Sequence, residues 1–174
     1  MDNVYKITAD DLINNSKIPI KVMENAYEIY NEFALEMIAQ IIENNKQNKR
    51  TVMICPCGPV EQYPVFAKFV NLLNVDLKNT WIINMDEYLN SDGTRISEDD
   101  EFAFKHFMND NLYSQINDEI NIPKSHRIFP DPDNLEYIPK LIEELGGVDI
   151  AFGGVALNGH VAFNEPEPNL SVEE

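Results

Sequence analysis

The stretch "TVMIC", residues 51–55, is a short apolar run that is rich in β-forming residues. Two comparable runs follow it, "TWIIN" at 80–84 and "VDIAF" at 148–152. Runs of this length and composition are typical of parallel strands that are covered on both faces. We therefore predict that the three runs are strands of one parallel sheet.

Helical patterns lie before and between these runs. Apolar residues at three- and four-residue spacings predict helices within 21–43, from 65 to 73, around 99–116 and around 135–145. The predicted inward face of the first helix is made of Val22, Ala26, Ile29, Phe33, Met37 and Ile41. The order strand, helix, strand predicts an α/β fold with a mostly parallel sheet and right-handed crossovers.

Composition limits the size of the fold and the choice of partner. The chain has 174 residues, of which 44% are apolar, and this predicts one globular domain. Its 30 acidic and 13 basic residues give a net charge of −17. Such a charge repels phosphate backbones and anionic lipids, so neither nucleic acid nor a membrane is expected as a partner.

Two cysteines, Cys55 and Cys57, stand in a CxC arrangement with no second pair. This spacing suits neither a useful disulfide nor a zinc site, and it fits a reducing, cytoplasmic setting. No apolar run approaches the roughly 20 residues of a membrane span, and the N-terminal residues show no targeting pattern.

Polar loops follow each of the three predicted strands. They are "PCGPVEQYP" at 56–64, "MDEYLNSDGTR" at 85–95 and "GGVALNGHVAFNEP" at 153–166. In parallel sheets ligands bind at the carboxyl ends of the strands, where such loops collect. The three loops are therefore predicted to form the functional site.

The third loop carries Asn158, His160 and Glu165 within eight residues. A histidine titrates near neutrality, and a neighbouring amide or carboxylate can fix its tautomer, so His160 is a candidate general base. The alternative is a structural loop in which the histidine only satisfies backbone groups.

The second loop places Asp86 and Glu87 directly after a predicted strand. A partly desolvated carboxylate has a raised pKa, which suits it to abstract a proton from carbon. Adjacent side chains of an extended segment point to opposite sides, so only one of the two acids can face the site. The alternative is a solvated acidic turn.

The segments "NMDEY" at 84–88 and "NGHVAFNEP" at 158–166, in this order and spacing, resemble the glucosamine-6-phosphate deaminase/isomerase family. The resemblance implies a Rossmann-like three-layer sandwich and the conversion of an amino-sugar phosphate to a ketose phosphate and ammonia. It implies that Asp86 shuttles a proton between C2 and C1 and that His160 assists ring opening. Glu165 would orient His160, and Asn158 would hold its ring through an amide. No metal or organic cofactor is implied.

Further residues of the same loops are expected to contact the sugar. These substrate-binding candidates are Gly58, Glu87, Gly153, Gly154, Gly159 and Asn164.

The first loop departs from the family pattern, which is a small-residue cradle of backbone N–H groups for the phosphate. Pro56, Pro59 and Pro64 each remove a donor, and Glu61 would bring a negative charge close to a dianion. Gly58 still allows close backbone approach. The alternative is a proline-stiffened connection that binds no ligand.

Members of the family continue past the "NEP" segment. We therefore expect residues 1–174 to be a single α/β domain that is the N-terminal part of a longer sugar-phosphate isomerase-like domain. A sheet without its later strands exposes an edge, which leaves pairing into a homo-oligomer open.

Two other functions remain open at this stage. One is a non-catalytic sugar-binding or sensing module of the same fold, which the altered first loop would suit. The other is a sugar-phosphate lactonase, since those enzymes resemble this family around a similar glycine–histidine loop. We rank the lactonase last because it lacks the carboxylate that Asp86 supplies here.

Overall fold

A four-stranded parallel sheet, in the order β3-β2-β1-β4, forms the centre of the protein. Its strands are β1 (Thr51–Cys55), β2 (Thr80–Asn84), β3 (Arg127–Ile128) and β4 (Ile150–Ala151). The structure is a computed structural model that describes residues 6–58, 60–156, 159–162 and 164. Each of the three predicted apolar runs contributes a strand, so the predicted α/β class and parallel sheet are confirmed.

The strands β1 and β2 pair along their whole length, with Thr51 opposite Thr80 and Cys55 opposite Asn84. The last strand is shorter than the predicted run 148–152. Its pairing with β1 is nevertheless continued by backbone hydrogen bonds of 2.9 Å on both sides, from Asp149 N to Val52 O and from Phe152 N to Ile54 O. The carboxyl ends of β1, β2 and β4 therefore lie side by side.

Five α-helices accompany the sheet in the described part of the chain. They are α1 (Ala9–Asn15), α2 (Ala26–Lys46), α3 (Gln62–Leu73), α4 (Phe104–Asn111) and α5 (Tyr137–Glu144), with 3₁₀ turns at Tyr113–Gln115 and Lys124–His126. The helical pattern around 99–116 thus divides into α4 and a 3₁₀ turn. None of the described helices is long and apolar enough to cross a membrane.

The first predicted helix, 21–43, begins later than its apolar pattern suggested. The Asn25 side chain caps α2 by accepting a hydrogen bond from the Glu28 amide at 3.1 Å, which fixes the helix start at Ala26. The predicted inward face is therefore partly wrong, because Val22 lies before the helix and Ile29 is 49% exposed. The buried residues of α2 are Ala34, Met37, Ile38, Ile41 and Asn44.

The core lies between the sheet and the pair α2 and α3. Met37 of α2, Phe66 of α3 and the strand residues Met53 and Ile82 belong to one buried cluster. Full burial of a side chain of this kind stabilises the fold by about 1.5–3 kcal/mol. The packing holds β1 and β2 in fixed register beneath the loops that follow them.

The opposite face of the sheet is covered as well. Val52 and Ile83, which alternate with the core residues along their strands, are also buried. The chain returns from β3 to β4 through α5, and the right-handed crossover rule places this helix on that second face. Leu141 of α5 is buried there. The arrangement is the predicted Rossmann-like sandwich of helix, sheet and helix layers.

Candidate active site

The loops after β1, β2 and β4 enclose a cavity of about 340 Å³ at the carboxyl edge of the sheet. The described residues that line it are Pro56, Cys57, Gly58, Met85, Asp86, Phe104, Gly154, Val155, Ala156, His160 and Ala162. Each of the three loops that sequence reasoning selected contributes to this wall. The cavity has the size of a small-molecule site.

Asp86 follows β2 directly and is half-buried at the wall of the cavity. Loss of contact with water raises the pKa of its carboxyl above the ordinary value, and the negative charge of Glu87 raises it further. His160, which lines the same cavity, lowers the pKa of Asp86. A carboxylate in this environment is suited to accept a proton from carbon.

His160 reaches the cavity through a tight turn after β4. The Ala156 amide donates to the His160 carbonyl at 3.1 Å, and the Gly159 amide donates to the Ala156 carbonyl at 2.8 Å. Gly159 has a φ of +86°, a conformation that residues with a side chain rarely adopt. The glycine before the histidine is therefore required to turn the chain so that His160 lines the cavity.

The other predicted site residues are distributed unevenly around this cavity. Gly58 and Gly154 line it directly. Gly153 packs against Met85, whose Cε lies 3.4 Å from where a Cβ would stand. Asn164 is exposed, and its side-chain amide donates to the Val161 carbonyl at 3.0 Å. The predicted partners of the histidine, Asn158 and Glu165, lie outside the described residues.

Glu87 is placed differently from Asp86. Its carboxylate accepts hydrogen bonds from the amides of Phe104 at 2.7 Å and Lys105 at 2.9 Å, at the start of α4. It lines a neighbouring cavity of about 180 Å³ together with Arg95, Arg127 and others. The two acids thus point to different sides, as expected of an extended segment, and substrate contact by Glu87 stays a prediction.

The first loop holds its shape through buried contacts below the cavity. The hydroxyl of Tyr63, which is fully buried, donates to the Pro56 carbonyl. Pro64 occupies the first turn of α3, where a backbone N–H has no partner within the helix, so this proline costs the helix no hydrogen bond. Glu61 is exposed, and its carboxylate accepts a hydrogen bond from the Val60 amide at 3.2 Å. Glu61 is not among the described residues that line the cavity.

Both cysteines are free thiols with suppressed acidity. Burial raises the pKa of Cys55 to about 12. Burial also raises the pKa of Cys57, and the nearby carboxylates of Asp86 and Glu87 add to this effect. A thiol with a raised pKa is a poor nucleophile at neutral pH, so Cys57 contributes a small apolar wall to the cavity. The described residues include no group of three or more His, Cys, Asp or Glu that could hold a metal ion.

Sequence reasoning did not identify the contribution of Phe104. The residue begins α4, lines the cavity and lies with its ring centroid 4.9 Å from that of Tyr88. The helical pattern around 99–116 did not indicate that the first residue of the helix returns to the carboxyl edge of β2. Its only local signal is its place at the start of the helix.

The protein is Rossmann-like, because its helices cover a parallel sheet. Its candidate site is built by the loops that follow the strands, and these bring a carboxylate and an imidazole to one cavity at the carboxyl edge of the sheet. Comparison with known proteins gives the family of the chain through individual relatives rather than through a family profile. No family profile matches the chain.

Curated relatives align with most of the length of this chain at about 30% sequence identity. The glucosamine-6-phosphate deaminase of Clostridium perfringens (strain SM101) is 31% identical over 151 residues, which is 82% of this chain and 59% of the relative. That of Colwellia psychrerythraea is 30% identical over 156 residues, or 86% of this chain and 54% of the relative. The chain therefore spans less than two thirds of the length of these relatives.

Comparison with solved structures supports the same family. A monomeric glucosamine-6-phosphate deaminase superposes with a TM-score of 0.70 at 26% identity, covering 89% of this chain and 62% of that one. The chain belongs to the glucosamine-6-phosphate deaminase family. A 6-phosphogluconolactonase from Thermotoga maritima has a TM-score of 0.58 at 19% identity, with 82% and 62% coverage, and shares the fold alone.

Proposed function

We propose that this chain carries the proton-transfer centre of an amino-sugar-phosphate isomerase-deaminase. The observation that supports the proposal best is that Asp86 and His160, from loops after two different strands, face the same cavity. The names of the curated relatives support the same reaction class. Glucosamine-6-phosphate and its galacto epimer are the substrates that we propose.

Asp86 is the base of the proposed reaction. In the open-chain sugar its carboxylate removes the proton from C2 while the C2 ammonium gives a proton to the carbonyl oxygen O1, which yields a neutral enolamine. The protonated carboxyl then returns its proton to C1, which leaves a protonated ketimine at C2. Water adds to the resulting ketimine at C2, and ammonia leaves to give the ketose phosphate. The desolvation that raises the pKa of Asp86 makes it a stronger base than an exposed carboxylate.

His160 assists ring opening in this proposal. A neutral imidazole accepts the proton of the C1 hydroxyl and can return it to the ring oxygen. The resemblance to the family implies that Glu165 orients the imidazole ring of His160 and that Asn158 holds it. We propose both roles for this chain. An amide at 158 can accept or donate a hydrogen bond but adds no charge to stabilise an imidazolium.

The described residues provide few candidate groups for binding the phosphate of the substrate. None of the described residues that line the cavity is Lys or Arg. Backbone N–H groups near Gly58 are the remaining candidates in the first loop, and Glu61 is not among the described residues that line the cavity. We therefore propose that residues 1–174 discriminate only weakly between phosphorylated and unphosphorylated amino sugars.

A sugar-binding module without turnover is the second candidate. The proline-rich first loop and the missing basic residues in the described cavity favour it. The half-buried position of Asp86 against the cavity favours catalysis instead, because a sensor has no need of a desolvated base. Binding of the sugar without release of ammonia would identify the module.

The deciding experiment incubates the purified protein with glucosamine-6-phosphate and, separately, with its galacto epimer. Ammonia and ketose phosphate are measured together, because their release in equal amounts distinguishes deamination from simple isomerisation. Exchange of the C2 proton with deuterated water is followed in the same samples, since it detects the base even if the later steps are slow. Absence of all three signals, with sugar binding shown by calorimetry, would contradict the enzyme and support the binding module.

A further inference from the structure

We propose that Glu87 is a positioning residue for Asp86, because its carboxylate clamps the loop after β2 to the first turn of α4. This inference rests on the proposed function, in which Asp86 is the base. It differs from the sequence-based expectation that Glu87 contacts the sugar.

The clamp consists of three hydrogen bonds to one carboxylate. Oε1 of Glu87 accepts from the Phe104 amide at 2.7 Å and Oε2 accepts from the Lys105 amide at 2.9 Å. Oε1 also accepts from the Tyr88 amide at 2.9 Å, which fixes the side chain against its own backbone. Charge-assisted bonds of this length are roughly twice as strong as neutral ones.

The first turn of α4 depends on this carboxylate. Its N-cap residue is Ala103, and no side chain at that position makes a capping hydrogen bond. Unpaired amides at a helix start are normally satisfied by Ser, Thr, Asp or Asn at the N-cap. Here the acceptor comes from Glu87, 17 residues earlier in the chain, and its negative charge also suits the positive end of the helix.

The clamp connects two walls of the cavity. Asp86 precedes Glu87 directly and faces the cavity, and Phe104, whose amide is held by Glu87, lines the same cavity. The rings of Tyr88 and Phe104 lie 4.9 Å apart and reinforce the connection. A change at Glu87 must therefore alter the position of Asp86 relative to the wall that faces the sugar.

The cations near Glu87 are engaged with other groups. Arg95 contacts Asp131 at 2.9 Å. The Lys105 ammonium pairs with Glu98, and the Arg127 guanidinium lies 4.1 Å from the centre of the Tyr113 ring. The negative charge of Glu87 therefore interacts mainly with the amides at the start of α4 and with the carboxyl of Asp86.

Two titratable groups act on the pKa of Asp86 besides burial, and a third group responds to its charge. Glu87 from its own loop raises the pKa of the carboxyl, His160 from the loop after β4 lowers it, and the thiol of Cys57 from the loop after β1 lies close enough to respond to the charge of Asp86. Removing the charge of Glu87 therefore lowers the pKa of Asp86. Because the base acts in its ionised form, the acidic limb of kcat/KM moves to lower pH.

The experiment compares native protein with Glu87→Ala and Glu87→Gln. The matched control is Glu98→Gln, which removes one negative charge from the same neighbouring cavity and pairs with the Lys105 side chain of α4 rather than with its backbone amide. Amide hydrogen exchange at Phe104 and Lys105 is measured together with ammonia release over a pH series. The carboxyl of Asp86 is titrated by carbon NMR in each protein.

We expect faster amide exchange in Glu87→Ala and a fall in kcat of roughly 10- to 100-fold with little change in KM, since small displacements of a base cost this much. Glu87→Gln, which keeps the side chain's size, should move the acidic limb and the NMR titration of Asp86 to lower pH. Glu98→Gln should do neither. If Glu87→Ala does not fold, Glu87→Gln still decides.

An unchanged kcat in a folded Glu87→Ala whose amides exchange faster would overturn the proposal, because Glu87 would then only cap α4. An unchanged titration of Asp86 in Glu87→Gln would overturn it as well. Failure of the proposed function has a different signature, which is native protein that releases no ammonia. In that case the NMR titration and the amide exchange alone decide whether Glu87 controls Asp86.

Discussion

Asn84, the last residue of β2, is buried and donates a hydrogen bond from its side-chain amide to the Ile128 carbonyl of β3 at 3.2 Å. The thiol of Cys57 lies 3.9 Å from the oxygen of the same amide. One side chain therefore connects the ends of β1, β2 and β3 two residues before Asp86. The proposed base therefore follows a strand end that this buried amide connects to both neighbouring segments.

Replacing Asn84 by Ala should destabilise the protein by about 1–3 kcal/mol, because the partly buried hydrogen bond from its side chain to the Ile128 carbonyl would be lost together with the packing of the buried amide. The free energy of unfolding in urea measures the loss. Asn14→Ala, at an exposed position of α1, should change it by less than about 0.5 kcal/mol. Equal effects of the two substitutions would contradict the role given to Asn84.

The Asn84 contact also shows where sequence reasoning stopped. The runs 51–55 and 80–84 predicted β1 and β2 because both are apolar and lie in the covered centre of the sheet. β3 was missed, since Arg127–Ile128 is a two-residue edge strand inside a polar segment. Pairing with β2 makes this segment a strand, and no local pattern announces it.

The candidate site, like the sheet, was predicted only in part from the sequence. Strand-end loops could be selected from the sequence, and the structure brings Asp86 and His160 to one cavity. The direction of Glu87 and the return of Phe104 to the cavity depend on how α4 packs, which the sequence does not encode locally. The catalytic roles, the single-domain extent, the homo-oligomer and the cytoplasmic location stay predictions.

Replacing Asp86 by Asn should lower turnover of the amino-sugar phosphate by roughly 10²–10⁴, because the amide keeps the shape of the carboxylate but cannot accept the proton. The KM should change little, since most ground-state contacts remain. Steady-state ammonia release gives both constants. Asp99→Asn, at an exposed position, is the matched control and should match the native enzyme. Native turnover in Asp86→Asn would show that the base is another residue.

The same substitution should increase stability in a pH-dependent way. Burial raises the pKa of Asp86 in the folded state above its value in the unfolded chain, so the folded state binds this proton more tightly. Stability contributed by this group is therefore present at low pH and is lost as the pH rises through the raised pKa. Asp86→Asn has no such loss.

Urea unfolding of native protein and Asp86→Asn should show the variant to be more stable at pH 7, with the difference shrinking as the pH falls toward the ordinary carboxyl range of about 4. Asp99→Asn corrects for the general effect of removing one charge from an acidic protein. A difference that does not depend on pH would mean that Asp86 is not desolvated in solution.

The phosphate preference tests the first loop. A carboxylate about 4 Å from a dianion would oppose binding by several kcal/mol at an effective dielectric constant near 20. Glu61 is exposed, its carboxylate accepts a hydrogen bond from the Val60 amide, and it is not among the described residues that line the cavity. Glu61→Ser should therefore leave the affinities for glucosamine and glucosamine-6-phosphate unchanged, and the native protein should prefer the phosphorylated sugar only weakly. Competition binding measures both affinities.

A positive control adds the charge that the described cavity wall lacks. Val155 lines the cavity and is 76% exposed, so Val155→Lys can direct an ammonium to the substrate without a loss of packing. It should increase the affinity for the phosphorylated sugar by about tenfold, which corresponds to 1.4 kcal/mol, and leave that for glucosamine unchanged. Val22→Lys adds the same charge at an exposed position that does not line the cavity and should have no such effect. Tight native binding of the phosphorylated sugar that Val155→Lys does not improve would mean that backbone N–H groups near Gly58 already hold the phosphate.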